Sequence, residues 1–454
     1  MPKAPILDQQ FLFEKLQRHL IQSGALGAKD LCAVLHISQP AFSRLIAQQG
    51  KGFLLRIGRG RQTQYAIAKP GRWGEPEIPV FSMDEKGALA QVATLYPIYP
   101  KGLYLKSHVE TLSTRIYNNL PYFFEDLRPS GFLGRLVPRL YSGLGFPEDI
   151  NVWTDEDCLL YLTRCGRDLV GNFIIGEESY EETVADRIKR LDVIPESDRK
   201  TIYPKLANLV LSTGIPGSSA AGEQPKFLSI RKTEMGLLPV MVKFSPPVVD
   251  AISRRIADLL ICEHIAHEIL RKYGKTSSKS CLLKGEGRLF LEMERFDRNI
   301  SGGRYGIISL RALDLEFVGQ LRSWTDTAKS LFQQKRIDEV SYQNIAWFET
   351  FGRLIGNTDR HHGNISFFCD GEKIKGLAPV YDMLPMMYAP QQNQLVVRTF
   401  DPVPPKFSEI PFWSDALTAS CDFWSQVQHH SQISKEFKAV TADNESKLSR
   451  LFHP

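Results

Sequence analysis

The run Gly356-Asn357-Thr358-Asp359-Arg360-His361-His362-Gly363-Asn364, followed beyond a strand-like stretch by Pro379-Val380-Tyr381-Asp382, constrains this chain more than any other feature. An acid, an amide five residues on, and a second acid after a strand are what metal-assisted phosphoryl transfer needs. They can act together only in a fold that brings the loop and the strand end to one point. In that chemistry Asp359 orients an attacking hydroxyl, while Asn364 and Asp382 hold Mg²⁺ on nucleotide phosphates. The same residue types also make ordinary turns, for local backbone reasons. The rest of the chain has to decide between the two.

Upstream stands Gly214-Ile215-Pro216-Gly217-Ser218-Ser219-Ala220-Ala221-Gly222-Glu223-Gln224-Pro225-Lys226. Its small side chains let backbone N–H groups approach phosphate oxygens, although a flexible surface loop has the same composition. Gly217 and Gly222 have the Walker A separation, but Glu223-Gln224 stands where Lys-Ser/Thr is required, so this is not a P-loop of that kind. Strand-like runs occur at 227–230 and 238–244, and the second carries Lys243, within reach of phosphates. Ile252 to Leu270 is expected as a helix that offers Asp258 or Glu263 as partner to Lys243. Residues 288–298 read as a strand whose backbone near Glu292, Met293 and Glu294 can meet an adenine edge. The order is loop, lysine strand, helix, hinge strand, Asp–Asn loop, metal Asp.

The front of the chain has a different character. Residues 1–72 carry eleven Lys and Arg against Asp8, Glu14 and Asp30, a net +8, while the whole chain is only +5. That asymmetry points to an anionic partner, most simply nucleic acid. Asp8 to Ile21 alternates at helical period with Phe11, Leu12, Leu16 and Leu20 on one side. Ala28 to Leu35 reads as a second helix, and Ser38 can cap a third from Gln39 to Gln49. Such a helix-turn-helix would present Gln39, Ser43, Arg44 and Gln48 to a major groove. Strands at 53–57 and 64–68 then enclose a basic tip, so that Arg56, Arg59 and Arg61 form a wing along a phosphate backbone. A helical dimerisation module with a solvated basic loop is the competing reading. Residues 70–79, rich in Pro and Gly, read as a linker.

At 454 residues the chain should hold two or three domains. No apolar run approaches the ~20 residues of a bilayer span. The first residues lack the apolar core of a signal peptide, so a cytoplasmic setting is expected. Seven cysteines, an odd number with no C-x-x-C spacing, argue for free buried thiols rather than disulfides or zinc. The aromatic run 120–131 speaks for packing alone.

These residues resemble the HipA family of serine/threonine kinases, toxins of bacterial toxin–antitoxin pairs. The resemblance spans roughly residues 85–450. It rests on Ser219 to Lys226, Glu294-Arg295-Phe296-Asp297-Arg298, Gly356 to Asn364, and Val380-Tyr381-Asp382. Phe123 to Gly131 is similar to the family's amino-terminal segment, and kinase loops share the Asp359–Asn364 spacing. With residues 8–69 similar to winged helix-turn-helix domains, the chain is most like the YjjJ type of HipA-like protein.

The resemblance implies a multidomain α+β fold. Its expected parts are a winged helix-turn-helix at 1–74, a HipA-like N-terminal subdomain at 75–205, a kinase N-lobe of mixed α/β structure at 206–298, and a mainly helical C-lobe at 299–454. It implies ATP and Mg²⁺ as cofactors, Asp359 as catalytic base, Asn364 and Asp382 as metal ligands, and Lys243 on the ATP phosphates. Further nucleotide contacts would come from Ser219, Ala220, Ala221, Gly222, Gln224, Lys226 and His361, with Ser219 the autophosphorylation site. Implied partners are a protein substrate, such as an aminoacyl-tRNA synthetase or other translation factor, and duplex DNA through residues 1–74. HipA-like loops commonly carry Lys just before the Asn, where this chain has Gly363; Arg360 or His362 would then supply that charge. The alternative is a DNA-binding regulator whose kinase-like body only binds nucleotide or a partner.

Overall fold

The computed structural model describes residues 6–48, 53–189, 193–213, 224–405 and 407–452. Among these residues it is a mixed α+β chain with four separate sheets. The first unit contains α1 (Ile6–Ser23), β1 (Leu26–Gly27), α2 (Ala28–Leu35), α3 (Gln39–Gln48), β2 (Leu54–Ile57) and β3 (Gln64–Ile67). Leu16 and Leu20, one turn apart on α1, meet Leu31, Leu35, Phe42, Leu45, Tyr65 and Ile67 in one small core. The left-handed backbone of His36 (φ 55°) ends α2, and Ser38 Oγ accepts from Ala41 N–H at 3.4 Å as α3 begins. The strands pair antiparallel in the order β1-β3-β2. Gly58 turns the hairpin at φ +79°, where a Cβ would lie 3.0 Å from the Gln62 carbonyl oxygen. Phe11 departs from the sequence expectation: it is 60% exposed. The buried stripe runs through Leu12, Leu16 and Leu20, and Phe11 sits about 100° around the helix from Leu12.

Backbone pairing stitches this unit to the second sheet. Ala68 bridges Ile98, Lys69 N–H donates to the Pro97 carbonyl at 2.7 Å, and Tyr99 N–H donates to the Ile67 carbonyl at 3.0 Å. The segment 70–79 is ordered by packing: Trp73 is buried, Arg72 pairs with Asp157 at 3.0 Å, and Ile78 already belongs to β4 (Ile78–Met83). That strand joins β5 (Leu89–Pro97), β6 (Leu103–Ser107), β7 (Arg115–Tyr117) and β8 (Phe173–Ile175) in the antiparallel order β7-β6-β5-β4-β8. Helices α4 (Gly131–Leu140), α5 (Asp155–Cys165) and α6 (Glu177–Lys189) accompany it, over a core that includes Tyr122, Phe123 and Phe124.

The next sheet carries the lysine. Its elements are β9 (Val193–Pro195), α7 (Arg199–Thr213), β10 (Lys226–Thr233), β11 (Gly236–Phe244), α8 (Ala251–Lys272), β12 (Ser280–Gly285) and β13 (Arg288–Glu294). The order is β12-β13-β11-β10-β9, with only the β9–β10 pair parallel. The boundary expected between 205 and 206 falls inside α7, because β9 and α7 build this sheet and its core with Tyr203, Ala207, Phe227 and Val242.

The last part contains β14 (Gly306–Ser309), α9 (Leu310–Phe317), α10 (Trp324–Gln333), α11 (Glu339–Leu354), β15 (Ser366–Asp370), β16 (Lys373–Leu377), α12 (Ile410–His429) and α13 (Lys435–Ser449). Trp347, Phe351, Phe423 and Trp424 are buried where α11 meets α12. Among the described residues, no helix is long and apolar enough to cross a membrane. All seven cysteines are free; Cys158, Cys165, Cys262 and Cys369 are buried, and the others partly so.

Candidate active site

Strand register decides what faces the site. Lys226 pairs with Lys243, and Lys243 with Leu291, so these side chains share the face of the sheet that α8 covers. Lys243 Nζ donates to both oxygens of Glu263, at 2.6 and 2.9 Å, and to Asp382. Glu263 is therefore the partner on α8. Asp258 instead accepts from Ser434 N–H at 3.0 Å and Ser434 Oγ at 2.5 Å, at the start of α13.

Burial opposes charge at all three groups, and the ion pairs answer it unequally. Burial would neutralise Lys243, yet Asp382 and Glu263 outweigh it and raise its pKa, so it stays an ammonium. Burial likewise works to raise Asp382, but Lys243 and Lys226 hold it well below the usual carboxylate range. Burial pushes Glu263 up, against the pull of Lys243. Asp382 is thus the firmly ionised carboxylate, and it has left-handed backbone (φ 52°), a conformation that costs a non-glycine residue about 1–2 kcal/mol. Holding it there takes neighbours on both sides.

The catalytic-type loop supplies them. α11 runs out at Gly356, whose φ of +73° and close neighbour Met387 Sδ, 2.7 Å from an ideal Cβ, leave room for glycine alone. Asn357 comes next, fully buried. Its Oδ1 accepts from Asp359 N–H at 3.0 Å, and its Nδ2 donates to the Asp382 carbonyl at 3.3 Å. One amide side chain thereby ties the Asp359 loop to the Asp382 segment. Asn364 Nδ2 donates to the Asp359 carbonyl at 2.9 Å, which leaves its Oδ1 as the free oxygen of that amide. The Asp359 backbone is held at both ends while its side chain stays exposed. Tyr381 OH donates to the Gly363 carbonyl at 2.6 Å, and its ring stacks on Phe296 with centroids 5.6 Å apart.

The structure brings Lys226, Lys243, Asp359, Asn364 and Asp382 into this assembly, and His361 also bears on Asp382 electrostatically. Gln224 lies just ahead of Lys226, half-buried. Ser219, Ala220, Ala221 and Gly222 lie outside the described residues. Two expectations need correction. Glu292 and Glu294 pair with Val242 and Val240, so they point to the face opposite Lys243. Glu292 is consumed there by Arg199 at 3.0 Å and Tyr203 OH at 2.6 Å, and its backbone sits in a strand paired on both sides. Met293, by contrast, shares the face of Lys243 and is buried. Arg360 folds back onto the Asn357 carbonyl and against Gly352, and His362 is buried on Thr327 Oγ1 at 2.9 Å. Neither replaces the lysine that Gly363 lacks. Asn357 was missed because Asn beside Gly reads as a turn former, and its bond to Asp382 spans 25 residues.

Known proteins resemble this chain over most of its length. Residues 74–184 match the family described as YjjJ-like toxin, middle domain, and residues 218–443 match the HipA-like C-terminal domain. Toxin YjjJ of Escherichia coli (strain K12) is 36% identical over 439 residues, covering 95% of this chain and 97% of that protein. Among solved structures, a chain of the Shewanella oneidensis MR-1 HipA, HipB and operator DNA complex is 16% identical with a TM-score of 0.47, over 82% of this chain and 96% of that one. The Helicobacter pylori proinflammatory kinase CtkA is 16% identical with a TM-score of 0.33, over 48% of this chain and 90% of that one.

Proposed function

The chain belongs to the HipA-like toxin family in its YjjJ form, and from that premise we propose that it is an ATP- and Mg²⁺-dependent protein serine/threonine kinase with a DNA-binding arm. One observation carries the reading: Lys243 is clamped between Glu263 and Asp382, and Asn357 fastens Asp382 to the Asp359 loop. A buried ammonium between two carboxylates can exchange one anionic partner for another, so nucleotide phosphates can take the place of Asp382 on Nζ. Lys226, cross-strand from Lys243, adds a second charge on the same face.

Released from Lys243, the Asp382 carboxylate and the Asn364 Oδ1 are the hard oxygens suited to Mg²⁺. Among the described residues no group of three or more His, Cys, Asp or Glu could hold a metal. The remaining ligands would therefore be phosphates and water. The bound cation would neutralise charge building on the phosphates. Asp359 accepts the proton of a serine or threonine hydroxyl; that oxygen bonds to the γ-phosphorus as the bond to the β-phosphate oxygen breaks and ADP leaves. The resemblance to HipA-like kinases supports a protein substrate, such as an aminoacyl-tRNA synthetase or other translation factor, and a cytoplasmic setting as part of this proposal.

Full-length protein incubated with labelled ATP and Mg²⁺ is expected to take up phosphate at Ser219, read by mass spectrometry. A phosphate there adds roughly −1.5 to −2 charge and would expel the small-residue loop from a nucleotide-bound arrangement. Nucleotide binding without any transfer would favour the regulator whose body only binds.

The first unit is read as a winged helix-turn-helix that binds duplex DNA for autoregulation. Gln39, Ser43 and Arg44 are exposed on α3, and Arg56, Arg59 and Arg61 are exposed on and around the hairpin; the side chain of Gln48 lies outside the described residues. Log affinity should fall with log salt by about 0.9 per neutralised phosphate. Arg59→Ala with Arg61→Ala in the full chain should make that slope shallower by up to ~2 and leave sequence preference unchanged. A salt titration with an unchanged slope would place the hairpin off the DNA.

A further inference from the structure

We propose that the outer face of α1 pairs with the same face of a second copy of this chain, the two helices running antiparallel. Gln10, Phe11, Glu14, Arg18, Ile21 and Gln22 are all exposed along it, although the opposite side of the helix is buried in its own small core. Phe11 is 60% and Ile21 38% exposed, so this face carries a large apolar side chain on either side of its charged pair. Between them Glu14 and Arg18 form an i, i+4 pair at 3.6 Å, with the Arg18 side chain 73% and the Glu14 side chain 48% exposed. So exposed a pair contributes little to the monomer.

The chemistry of this face is self-complementary. In a two-fold dimer, if residue i meets residue j of the other chain, j also meets i. Centre the crossing of two antiparallel helices at the height of Leu16, whose own side chain is buried on the opposite side. Phe11 then lies over Ile21 of the partner subunit, Glu14 over Arg18 of the partner subunit, and Gln10 over Gln22 of the partner subunit, each contact occurring twice. Apolar meets apolar, acid meets base and amide meets amide. A parallel pairing would set Glu14 against Glu14 and Arg18 against Arg18, where like charges repel. The pattern therefore specifies both the occupant and its direction. One helix pair buries less than the ~1,200 Å² of a standard stable interface, so the association falls in the micromolar range. The pairing does not depend on DNA binding, although it would give two α3 helices the two-fold relation that paired half-sites require.

Sedimentation of the full chain across a concentration series tests this. Wild type is expected to move from monomer to dimer within the micromolar range. Glu14→Arg alone and Arg18→Glu alone should each weaken the dimer on the order of tenfold, because like charges then face each other twice. An equimolar mixture of the two variants should dimerise as wild type does, since both contacts become Arg against Glu again. Phe11→Gln should weaken association by a similar factor. A monomeric wild type at tens of micromolar, undiminished dimerisation of the charge variants, or a mixture no stronger than either variant would each overturn the proposal.

Discussion

Replacing Asp359 by alanine is expected to lower phosphate transfer by ~10²–10⁴ while leaving affinity for Mg-nucleotide within a few-fold of wild type. The reason is local. Asp359 is anchored through its backbone, its N–H on Asn357 Oδ1 and its carbonyl on Asn364 Nδ2, and neither bond uses the carboxylate. The side chain is exposed, so truncation leaves no buried group without a partner. Asp382→Ala should behave in the opposite way. It removes an ionised carboxylate beside Lys243, and with it the principal protein oxygen proposed for the cation, so nucleotide binding should fall first. Single-turnover transfer and calorimetric titration on both variants separate the two effects. Wild-type transfer by Asp359→Ala would assign the base elsewhere.

What the sequence made legible depended on how local the deciding interaction is. The bounds of α2, the two strands around the lysine and the spacing of Asp359 and Asn364 come from period, caps and motif, all within a few residues. Choosing between Asp258 and Glu263 is beyond that range. Five residues on a helix place them about 140° apart, so only one can face β11, and the winner depends on how α8 lies on the sheet. Glu292 and Met293 pose the same problem on a strand. Alternation shows that they face opposite ways, but only the pairing of Lys243 with Leu291 says which of them shares the face of the site. Phe11 reads onto the wrong side because a helical stripe one residue too wide looks equally periodic. Arg360 and His362 are polar residues in a polar loop, and nothing nearby in sequence announces that Thr327 and Gly352 receive them.

The largest loss of stability is expected at Asp297, just beyond β13. Its carboxylate accepts from Arg295 Nε and Nη2 at 3.1 and 2.9 Å, from Arg298 Nη1 at 2.8 Å, and from Gly171 N–H at 3.0 Å. Asp168 accepts from both arginines, each at 2.9 Å. Arg304 lies buried alongside, its pKa pulled down to about 9 by burial and by Arg298. Two guanidiniums thus share two carboxylates at the joint between β13 and the segment that enters β8, while Arg304 donates to the Arg167 carbonyl at 2.6 Å. Asp297→Ala leaves Asp168 alone against Arg295 and Arg298, and breaking a buried ion network in this way typically costs about 3–5 kcal/mol. Asp297→Asn keeps the shape but removes the charge and turns one accepting oxygen into an N–H donor facing other donors, so its difference from alanine isolates the packing contribution. Burial would raise the pKa of Asp297, but Arg295 and Arg298 outweigh it and depress it strongly. A carboxylate with a lowered folded-state pKa contributes stability that is complete above its unfolded value near ~3.9 and is lost as pH falls below it. Wild type should therefore lose stability through the acid range in a way that Asp297→Asn does not. Denaturant midpoints at neutral and acid pH measure both effects. An Asp297→Asn protein as stable as wild type at neutral pH would mean that Asp168 alone balances the arginines.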